Sequence, residues 1–380
     1  MSYAPLKDIY ILDCSTLLPG PYCTMMLAEM GATVVKVERA GAGDTMRAVI
    51  PGCFDYLNGN KKFVSINLKQ KEGLDTFLKI AKKADVIVEG FRPGIAKRLG
   101  IDFDSIKKVN PSIIYCSISG HGQTGPYANI PGHDINYQGL SGLMGISGDP
   151  DKGPEFPDGF QVADLGGSMF ALVSILAALN GRNISRDPVF LDIAISESLA
   201  MWMMPRYFEY LGHNRPPKSK FMGRGPYGIF ETKDGKYITI GVVEDHFWVN
   251  LCNVLGLDDL AADPALSSWH KRNFERKRIV PTITAAIKKE DAEHWLDLLT
   301  KADVPVAPVC DFENWMDNPQ LSDRNFFPKD QYRRFPVNEL TIDNMDEIKQ
   351  PAVGKDNLEI YTELGLAATD VESLKKEGAI

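Results

Sequence analysis

Short runs of β-branched and aliphatic residues alternate with amphipathic stretches along the first half of the chain. The pattern predicts strands at 9–12, 33–38, 63–68, 85–89 and 113–119, with helices at 22–30, 71–83 and 168–179. Strands that alternate with helices form parallel sheets covered by helices on both faces. The sequence therefore predicts an α/β fold whose large domain contains a Rossmann-like parallel sheet.

The pattern changes after residue 200. We interpret 201–221, rich in proline and basic residues, as a linker. Strands are then expected at 228–231 and 237–243, joined across Lys233-Asp234-Gly235, which is typical of a hairpin turn. Helices up to about 301 and a strand at 304–309 complete a small α+β domain over 222–325. The C-terminal stretch 326–380 is expected to return to the large domain, so that 1–200 is completed by 330–380.

Composition excludes several classes of protein. The chain has 380 residues, of which 44% are hydrophobic and 24% charged, typical of a globular protein and not of a disordered one. The net charge of −8 argues against nucleic acid or an anionic membrane as a bulk partner. The most apolar helical stretch, 169–179, is shorter than the ~20 residues that span a bilayer. We therefore expect no membrane association.

The six cysteines are scattered and form no C-x-x-C pair. In a chain of this size they are interpreted as reduced thiols, and no metal site is expected. The N-terminus lacks the pattern of a secretory signal, so a cytoplasmic location is expected.

One apparent nucleotide motif is interpreted as a loop. The stretch 223–228 matches G-x-G-x-x-G, but Pro226 interrupts it and strand-like residues follow where a dinucleotide site requires a helix. The turn after the first strand contains the single glycine Gly20. A Rossmann-like sheet without nicotinamide is the better interpretation.

Three residues are candidates for acid–base chemistry. His133 lies in a loop before a glycine-rich stretch, Asp164 precedes an apolar helix, and Glu244 follows a buried-looking strand. Each also has a structural interpretation, because Asp164 and Glu244 lie where helix caps occur and most such histidines are simply hydrogen-bonded. None of the three is decisive alone.

The chain resembles the family III CoA-transferases, which include the α-methylacyl-CoA racemases. The resemblance covers nearly the whole chain, in motifs at 17–39, 58–69, 84–94, 117–144, 163–167, 228–248 and 304–315. It implies an interlocked homodimer of ring-shaped subunits with the active site between a large and a small domain. Coenzyme A would be part of an acyl-CoA substrate, with no tightly bound cofactor.

The resemblance leaves two reactions open. In the racemases, the aspartate matching Asp164 and the histidine of a G-H-D-[IL]-N-Y motif, here His133, act as two bases. A glutamate matching Glu244 pairs with that histidine. In the transferases the aspartate attacks the thioester and forms covalent intermediates, and an aromatic residue commonly replaces the histidine. A third reading is a subunit that binds CoA thioesters for an active partner, which should lose the aspartate.

We favour a racemase that inverts the α-carbon of 2-methyl-branched or other α-substituted acyl-CoA thioesters through an enolate. The alternative is a CoA-transferase acting through a covalent Asp164 anhydride and thioester. Gln138 and the run at 142–144 are familiar from transferases. His121 stands where the family usually has an aromatic residue, which leaves the shape of the acyl pocket open.

The resemblance also assigns residues to substrate binding. Arg39, Lys62 and Arg92 would contact the phosphates or adenine end of CoA, and the substrate-binding residues would include Asp134 and Tyr137. Without the resemblance, each basic residue would be interpreted as a solvated surface charge. The helix after Asp164 is expected to help keep its carboxylate ionised.

Overall fold

The computed structural model describes residues 4–148, 153–156, 159–326 and 351–380. They form two compact units. The first unit contains the described residues of Met1–Leu143, Pro157–Met204 and Asn325–Ile380. The second contains those of Met144–Phe156 and Pro205–Arg324, so the segment after Leu143 leaves the first unit although the sequence interpretation kept it within 1–200.

The described residues contain nine strands. They are β1 (Tyr10–Cys14), β2 (Thr33–Arg39), β3 (Lys62–Ile66), β4 (Val86–Glu89), β5 (Ile114–Ser119), β6 (Val189–Ala194), β7 (Tyr227–Glu231), β8 (Tyr237–Gly241) and β9 (Val306–Pro308).

The helices up to residue 212 are α1 (Pro19–Glu29), α2 (Met46–Val49), α3 (Pro51–Asn58), α4 (Lys71–Ala81), α5 (Ile95–Leu99), α6 (Phe103–Val109), α7 (Asp134–Leu140), α8 (Val162–Gly181) and α9 (Ile195–Gly212). Those that follow are α10 (Lys218–Phe221), α11 (Asp245–Leu255), α12 (Asp258–Ala261), α13 (Trp269–Phe274), α14 (Arg276–Ile287), α15 (Ala292–Lys301), α16 (Pro319–Asp323), α17 (Asn357–Glu363) and α18 (Ala368–Lys376). Short 3₁₀ helices lie at Met144–Ile146, Pro264–Leu266 and Trp315–Asp317.

The first unit is built on a parallel sheet of six strands in the order β3-β2-β1-β4-β5-β6. This is the strand order of a doubly wound Rossmann-like sheet, in which ligands bind at the carboxyl ends of the strands where the order reverses. All five strands expected in this half of the chain are present. The predicted fold class is confirmed, and β6 is an additional strand that the sequence pattern did not reveal.

Alternation along the strands divides the core of this unit into two layers. Ile11 of β1 packs in the layer that includes α1 and α8, whereas the next residue, Leu12, packs in the layer that includes α4 and α17. Because both faces are covered, apolar residues occupy successive positions in the central strands, as in the first three residues of β4.

The edge strand β3 is covered by the described C-terminal segment. Asp356 Oδ2 accepts the Phe63 N–H at 2.7 Å, and Asn357 Oδ1 accepts the Ser65 N–H at 2.9 Å. Tyr361 is buried and donates to the Ser65 carbonyl at 3.0 Å. These contacts satisfy backbone groups that an open edge would leave unpaired.

The second unit contains an antiparallel sheet in the order β7-β8-β9. The expected hairpin is present, and Gly235 in its turn has a φ of 77°, a conformation that favours glycine. Trp248 of α11 and Trp295 of α15 are buried in the core that this sheet shares with its helices.

Two expectations about helices were wrong. The segment interpreted as a linker begins inside α9, which runs to Gly212 with Pro205 inside it, because an 18-residue helix tolerates the loss of one backbone hydrogen bond. Helix α8 has 20 residues, more than the pattern indicated. By length and composition α8 is the one described helix that passes a test for a membrane span, with a mean hydropathy of 1.9. Length and composition alone are weak evidence for a membrane span, because the core helices of other proteins share them. Ala171, Leu172 and Ile175 of α8 lie in the core.

Candidate active site

Two cavities lie at the carboxyl ends of the strands in the first unit. The first has a volume of about 360 Å³ and is lined by residues at and beyond the ends of β1, β2 and β3, including Cys14, Lys36, Arg39, Asp44, Asn67 and Lys69. The second, of about 250 Å³, is lined by residues after β1, β4 and β5 and by the start of α8, including Arg92, Ser119, His121, His133, Tyr137 and Asp164. Thr16 and Phe91 line both cavities, which are therefore neighbours.

Asp164 lies in the first turn of α8 and lines the second cavity. Burial, and then the nearby Asp134 carboxylate, raise the pKa of Asp164 to about 7. Desolvation and a like charge thus act against the helix dipole, whose expected help in ionising this carboxylate stays a prediction. Asp164 is not the N-cap, a position that Gln161 occupies. No described residue donates a hydrogen bond to the Asp164 carboxylate, which leaves it available to a ligand.

The Asp134 carboxylate binds the start of α8 rather than a substrate. Its Oδ1 accepts the N–H groups of Ala163 at 2.8 Å and Asp164 at 3.1 Å, while Oδ2 accepts from Gln138 Nε2. Asp134 is buried, and both of its oxygens are engaged within the protein. The geometry therefore makes it a positioning residue and gives no support to the predicted substrate contact.

His133 precedes α7 and lines the same cavity as Asp164. It is the N-cap residue, and its backbone N–H donates to Asn136 Oδ1 at 3.0 Å. The imidazole is exposed in the isolated chain. The structure thus brings together two of the three predicted catalytic residues.

Glu244, the third, belongs to the second unit, where it is the N-cap residue of α11 and is exposed. Its side chain makes no capping hydrogen bond. The pairing of Glu244 with His133 stays a prediction.

Tyr137 forms part of the cavity wall and depends on two glycines. Its hydroxyl donates to the Gly132 carbonyl at 2.7 Å. A Cβ on Gly120 would collide with this hydroxyl, and a Cβ on Gly132 would lie 2.8 Å from the ring. Burial, followed by the charge of Asp164, raises the pKa of Tyr137 to about 12, so the phenol stays protonated and can donate a hydrogen bond.

The three predicted basic residues are not brought together. Arg39 lines the first cavity and Arg92 the second. Lys62 begins β3 and pairs with Val35, whereas Ile66 at the carboxyl end pairs with Arg39. Four residues along a strand place Lys62 ~13 Å from the cavity edge. Its ammonium binds Glu359 at 2.5 Å, so the geometry gives no support to a CoA contact.

Sequence reasoning missed several residues of these cavities. Lys69 lines the first cavity, and its place just after a strand was the available signal. Glu89 at the end of β4 accepts the Phe91 N–H at 2.6 Å and so holds the turn that carries Arg92. Burial raises the pKa of Glu89 to about 7.

Beneath the first cavity lies a buried ion network that the sequence did not reveal. Lys36 Nζ donates to the Ser15 carbonyl at 2.8 Å and lies 3.0 Å from Asp44 Oδ2. Lys61 Nζ lies 2.9 Å from Asp13 Oδ2. All four side chains are fully buried, and this network fixes the turn after β1 that both cavities share. The described residues contain no group of three His, Cys, Asp or Glu side chains that could hold a metal ion.

The model of CoA-transferase family III matches residues 6–357. The chain belongs to this family. Among the relatives of this family III member is the acetyl-CoA:oxalate CoA-transferase of Acetobacter aceti, 31% identical over 352 residues that cover 90% of each chain. The succinyl-CoA:glutarate CoA-transferase of Mus musculus is 34% identical over 84% of this chain and 75% of its own.

A solved structure agrees with the fold of the family III member. A CAIB/BAIF family protein from Brucella suis matches with a TM-score of 0.81 and 26% identity over 95% of this chain and 100% of that chain. The two relatives are named as CoA-transferases, so the names do not support the racemase activity that we favoured from His133. The transferase alternative fits them better.

Proposed function

We propose that this family III member is a CoA-transferase that moves CoA between carboxylic acids, with Asp164 as the covalent carrier. The observation that carries the proposal is the state of the Asp164 carboxylate. It lines a cavity, no described residue donates a hydrogen bond to it, and its pKa of about 7 allows an ionised form at neutral pH. A poorly solvated carboxylate is a stronger nucleophile than one that is fully hydrogen-bonded.

The chemistry proceeds through four exchanges at carbonyl carbon. The ionised Asp164 attacks the acyl-CoA thioester, and the C–S bond breaks to give an aspartyl–acyl anhydride and CoA thiolate. The thiolate attacks the Asp164 carbonyl, which releases the first acid and leaves an aspartyl-CoA thioester. An incoming carboxylate attacks that thioester and expels CoA thiolate, which then attacks the acyl side of the new anhydride. The product is a new acyl-CoA, and Asp164 is regenerated.

Each tetrahedral intermediate carries an oxyanion that needs hydrogen-bond donors. The Tyr137 hydroxyl is a protonated group in the same cavity, but its one proton is donated to the Gly132 carbonyl. The Asp164 carboxylate is placed by a helix whose first N–H groups are already bound to Asp134, so those amides are not available. We therefore propose that the Tyr137 hydroxyl exchanges the Gly132 carbonyl for the oxyanion as charge develops, and so supplies part of the stabilisation.

The first cavity suits the nucleotide end of CoA. It lies at the ends of β1–β3, and Arg39 and Lys69, both exposed, stand on its rim. Phosphate groups favour such charge-assisted contacts. Because the two cavities share Thr16 and Phe91, a CoA molecule seated in the first can extend its thioester toward Asp164 in the second.

We also propose that the active form is a homodimer. Helices α8 and α9 expose Val173 to 58%, Met201 to 58% and Trp202 to 46%. Phe170 of α8 contacts Trp202 of α9, with the ring centroids 6.3 Å apart. Exposed apolar side chains on two contacting helices are typical of a subunit interface. Analytical ultracentrifugation of Trp202→Asp should show monomer if the proposal is correct.

Trapping the covalent intermediate tests the transferase proposal. The enzyme is incubated with succinyl-CoA, quenched with hydroxylamine and mapped by peptide mass spectrometry. A hydroxamate at Asp164 that depends on succinyl-CoA is expected, and Asp164→Asn should abolish it together with CoA transfer to glutarate. Asp303→Asn is the matched control, since Asp303 lines neither cavity. Transfer that persists in Asp164→Asn would refute the covalent mechanism.

Racemisation remains a second candidate because His133 and Asp164 line one cavity. It predicts deuterium at the α-carbon of a single-epimer 2-methylacyl-CoA in D₂O without any acceptor acid. His133→Ala should abolish this exchange. The transferase proposal predicts no exchange, and it predicts that His133→Ala impairs transfer without eliminating it.

A further inference from the structure

Two polar residues of the Asp164 cavity have no part in the transfer steps. Ser119 is the last residue of β5, and His121 follows after Gly120. Both line the cavity that contains Asp164. Their placement two residues apart on one backbone segment brings a hydroxyl and an imidazole to the same wall.

The environment of His121 fixes its ring. Nδ1 lies 3.3 Å from the hydroxyl of buried Ser196, whose backbone N–H donates to the Gly120 carbonyl at 3.0 Å. The ring packs edge-on against Tyr137 at 5.2 Å and against Tyr127 at 5.8 Å between centroids. With Nδ1 engaged, Nε2 is the nitrogen for which no described residue supplies a partner.

The Ser119 hydroxyl also lacks a partner. Ser119 is 8% exposed, and its Oγ is buried without a hydrogen bond to any described residue. Buried polar groups are nearly always paired, and an unpaired one is unfavourable. The hydrogen of a serine hydroxyl rotates to suit its acceptor, so a ligand oxygen that reaches Ser119 can accept its proton.

The charges in the cavity favour an anion at this wall. Of the residues that line this cavity, Arg92 carries a positive charge and Asp164 is the single acid. Histidines stand at positions 121 and 133. When Asp164 is converted to an anhydride or thioester, its negative charge is lost. In the covalent intermediate the residues that line the cavity therefore carry a net positive charge. The acid to be exchanged binds in this state.

We propose that Ser119 and His121 form a binding site for the second, non-reacting carboxylate of a dicarboxylic acid, and thereby select the acids that exchange at Asp164. The Ser119 hydroxyl and the His121 Nε2–H each donate to one of its oxygens. The inference rests on the proposed transferase function. It extends that function by naming the substrate class, in agreement with the dicarboxylic acids in the names of the two relatives.

The test compares a diacid with its matched monoamide. Binding of glutarate and of glutaric acid monoamide is measured by calorimetry in the presence of CoA, with Asp164→Asn enzyme, whose neutral amide reproduces the loss of charge in the covalent intermediate. The monoamide keeps one carboxylate for reaction and has nearly the same shape, but its other end is neutral. The Asp164→Asn enzyme should prefer glutarate by roughly 10- to 100-fold, the range expected for hydrogen bonds to a charged group.

Two variants and one control locate the preference. His121→Phe keeps the ring contacts with both tyrosines and removes the donor, and Ser119→Ala removes the hydroxyl. Each should reduce the preference by about tenfold, mainly by weakening glutarate binding. His294→Phe makes the same change at an exposed histidine that lines neither cavity, and it should leave the preference intact.

Binding and transfer are measured separately, so the two proposals can fail independently. Equal affinity of the Asp164→Asn enzyme for the diacid and the monoamide would overturn the carboxylate site, as would an unchanged preference when either His121→Phe or Ser119→Ala is added to it. A preference that depends on His121, but without CoA transfer or an Asp164 adduct, would support the site and overturn the transferase function.

Discussion

Replacement of Asp134 by Asn should shift the pH dependence of acyl transfer toward acid. Asp134 raises the pKa of Asp164 through its negative charge, and Asn removes that charge. The Asn side chain keeps an oxygen that can accept the Ala163 N–H, now 2.8 Å from the carboxylate. The substitution therefore separates the electrostatic effect of Asp134 from its effect on the start of α8.

The size of the shift is bounded by the structure. Burial is the larger cause of the raised pKa and persists in the variant, so the pKa should fall from about 7 but stay above 3.8. In the wild type about a tenth of Asp164 is ionised at pH 6. The variant should be more ionised at that pH and react faster there. Above about pH 8 its rate should be equal or lower, because a less basic carboxylate is a weaker nucleophile.

The assay is the rate of the first half-reaction in single turnover. Enzyme in excess is mixed with succinyl-CoA between about pH 5 and about pH 9, and the covalent adduct is followed by quenched-flow mass spectrometry. Asp134→Ala is the companion variant. It leaves two N–H groups near a buried helix start without an acceptor, which should cost about 1–3 kcal/mol of unfolding free energy in urea.

Two results would refute this reasoning. If the fall in rate at low pH occurs at the same pH in Asp134→Asn, then this fall does not report the ionisation of Asp164, or Asp134 does not affect the pKa of Asp164. If the fall in rate moves to higher pH, then the sign of the coupling is wrong.

Four further substitutions have defined outcomes. Arg39→Ala should raise KM for acyl-CoA about tenfold with little change in kcat. Lys62→Ala should match wild type in steady-state kinetics. If both substitutions raised KM equally, CoA would bind elsewhere. Gly120→Ala should lower Tm and slow transfer, since its Cβ collides with the Tyr137 hydroxyl; wild-type values would contradict this geometry. Asp164→Asn should be more stable than wild type by about 1–4 kcal/mol in urea at pH 8, because a raised folded-state pKa costs stability as pH rises from 3.8 through about 7. That difference should shrink toward pH 4, and a constant one would exclude an ionisation effect.

The strands of the large sheet were predictable because their signal is local. β4 is buried on both faces, and its first three residues are consecutive apolar residues. β6 was missed because it is an edge strand whose first four residues alternate between half-buried and exposed positions. The hairpin of the second unit was predictable for a different reason, since Gly235 supplies the turn geometry on its own.

The role of Asp134 could not be predicted from local pattern. Its carboxylate accepts hydrogen bonds from N–H groups 29 and 30 residues further along the chain. The same distant contact explains why the start of α8 was placed too late, because no residue near Val162 has the pattern of a side-chain cap. For Lys62, by contrast, the local pattern was sufficient. It placed Lys62 at the start of a strand, which argues against a contact with a cavity at the carboxyl ends of the strands.

The two aspartates of this site have the same functional group but opposite roles, and hydrogen bonding decides which is which. Both carboxylate oxygens of Asp134 accept hydrogen bonds from the protein, and one of them holds the start of α8. Asp164 receives no hydrogen bond from any described residue, and the adjacent charge of Asp134 raises its pKa further. In the proposed mechanism, the carboxylate that stabilises the helix also makes its neighbour a better nucleophile. That mechanism needs no separate general base to activate the attacking group, because ionisation near neutral pH is sufficient.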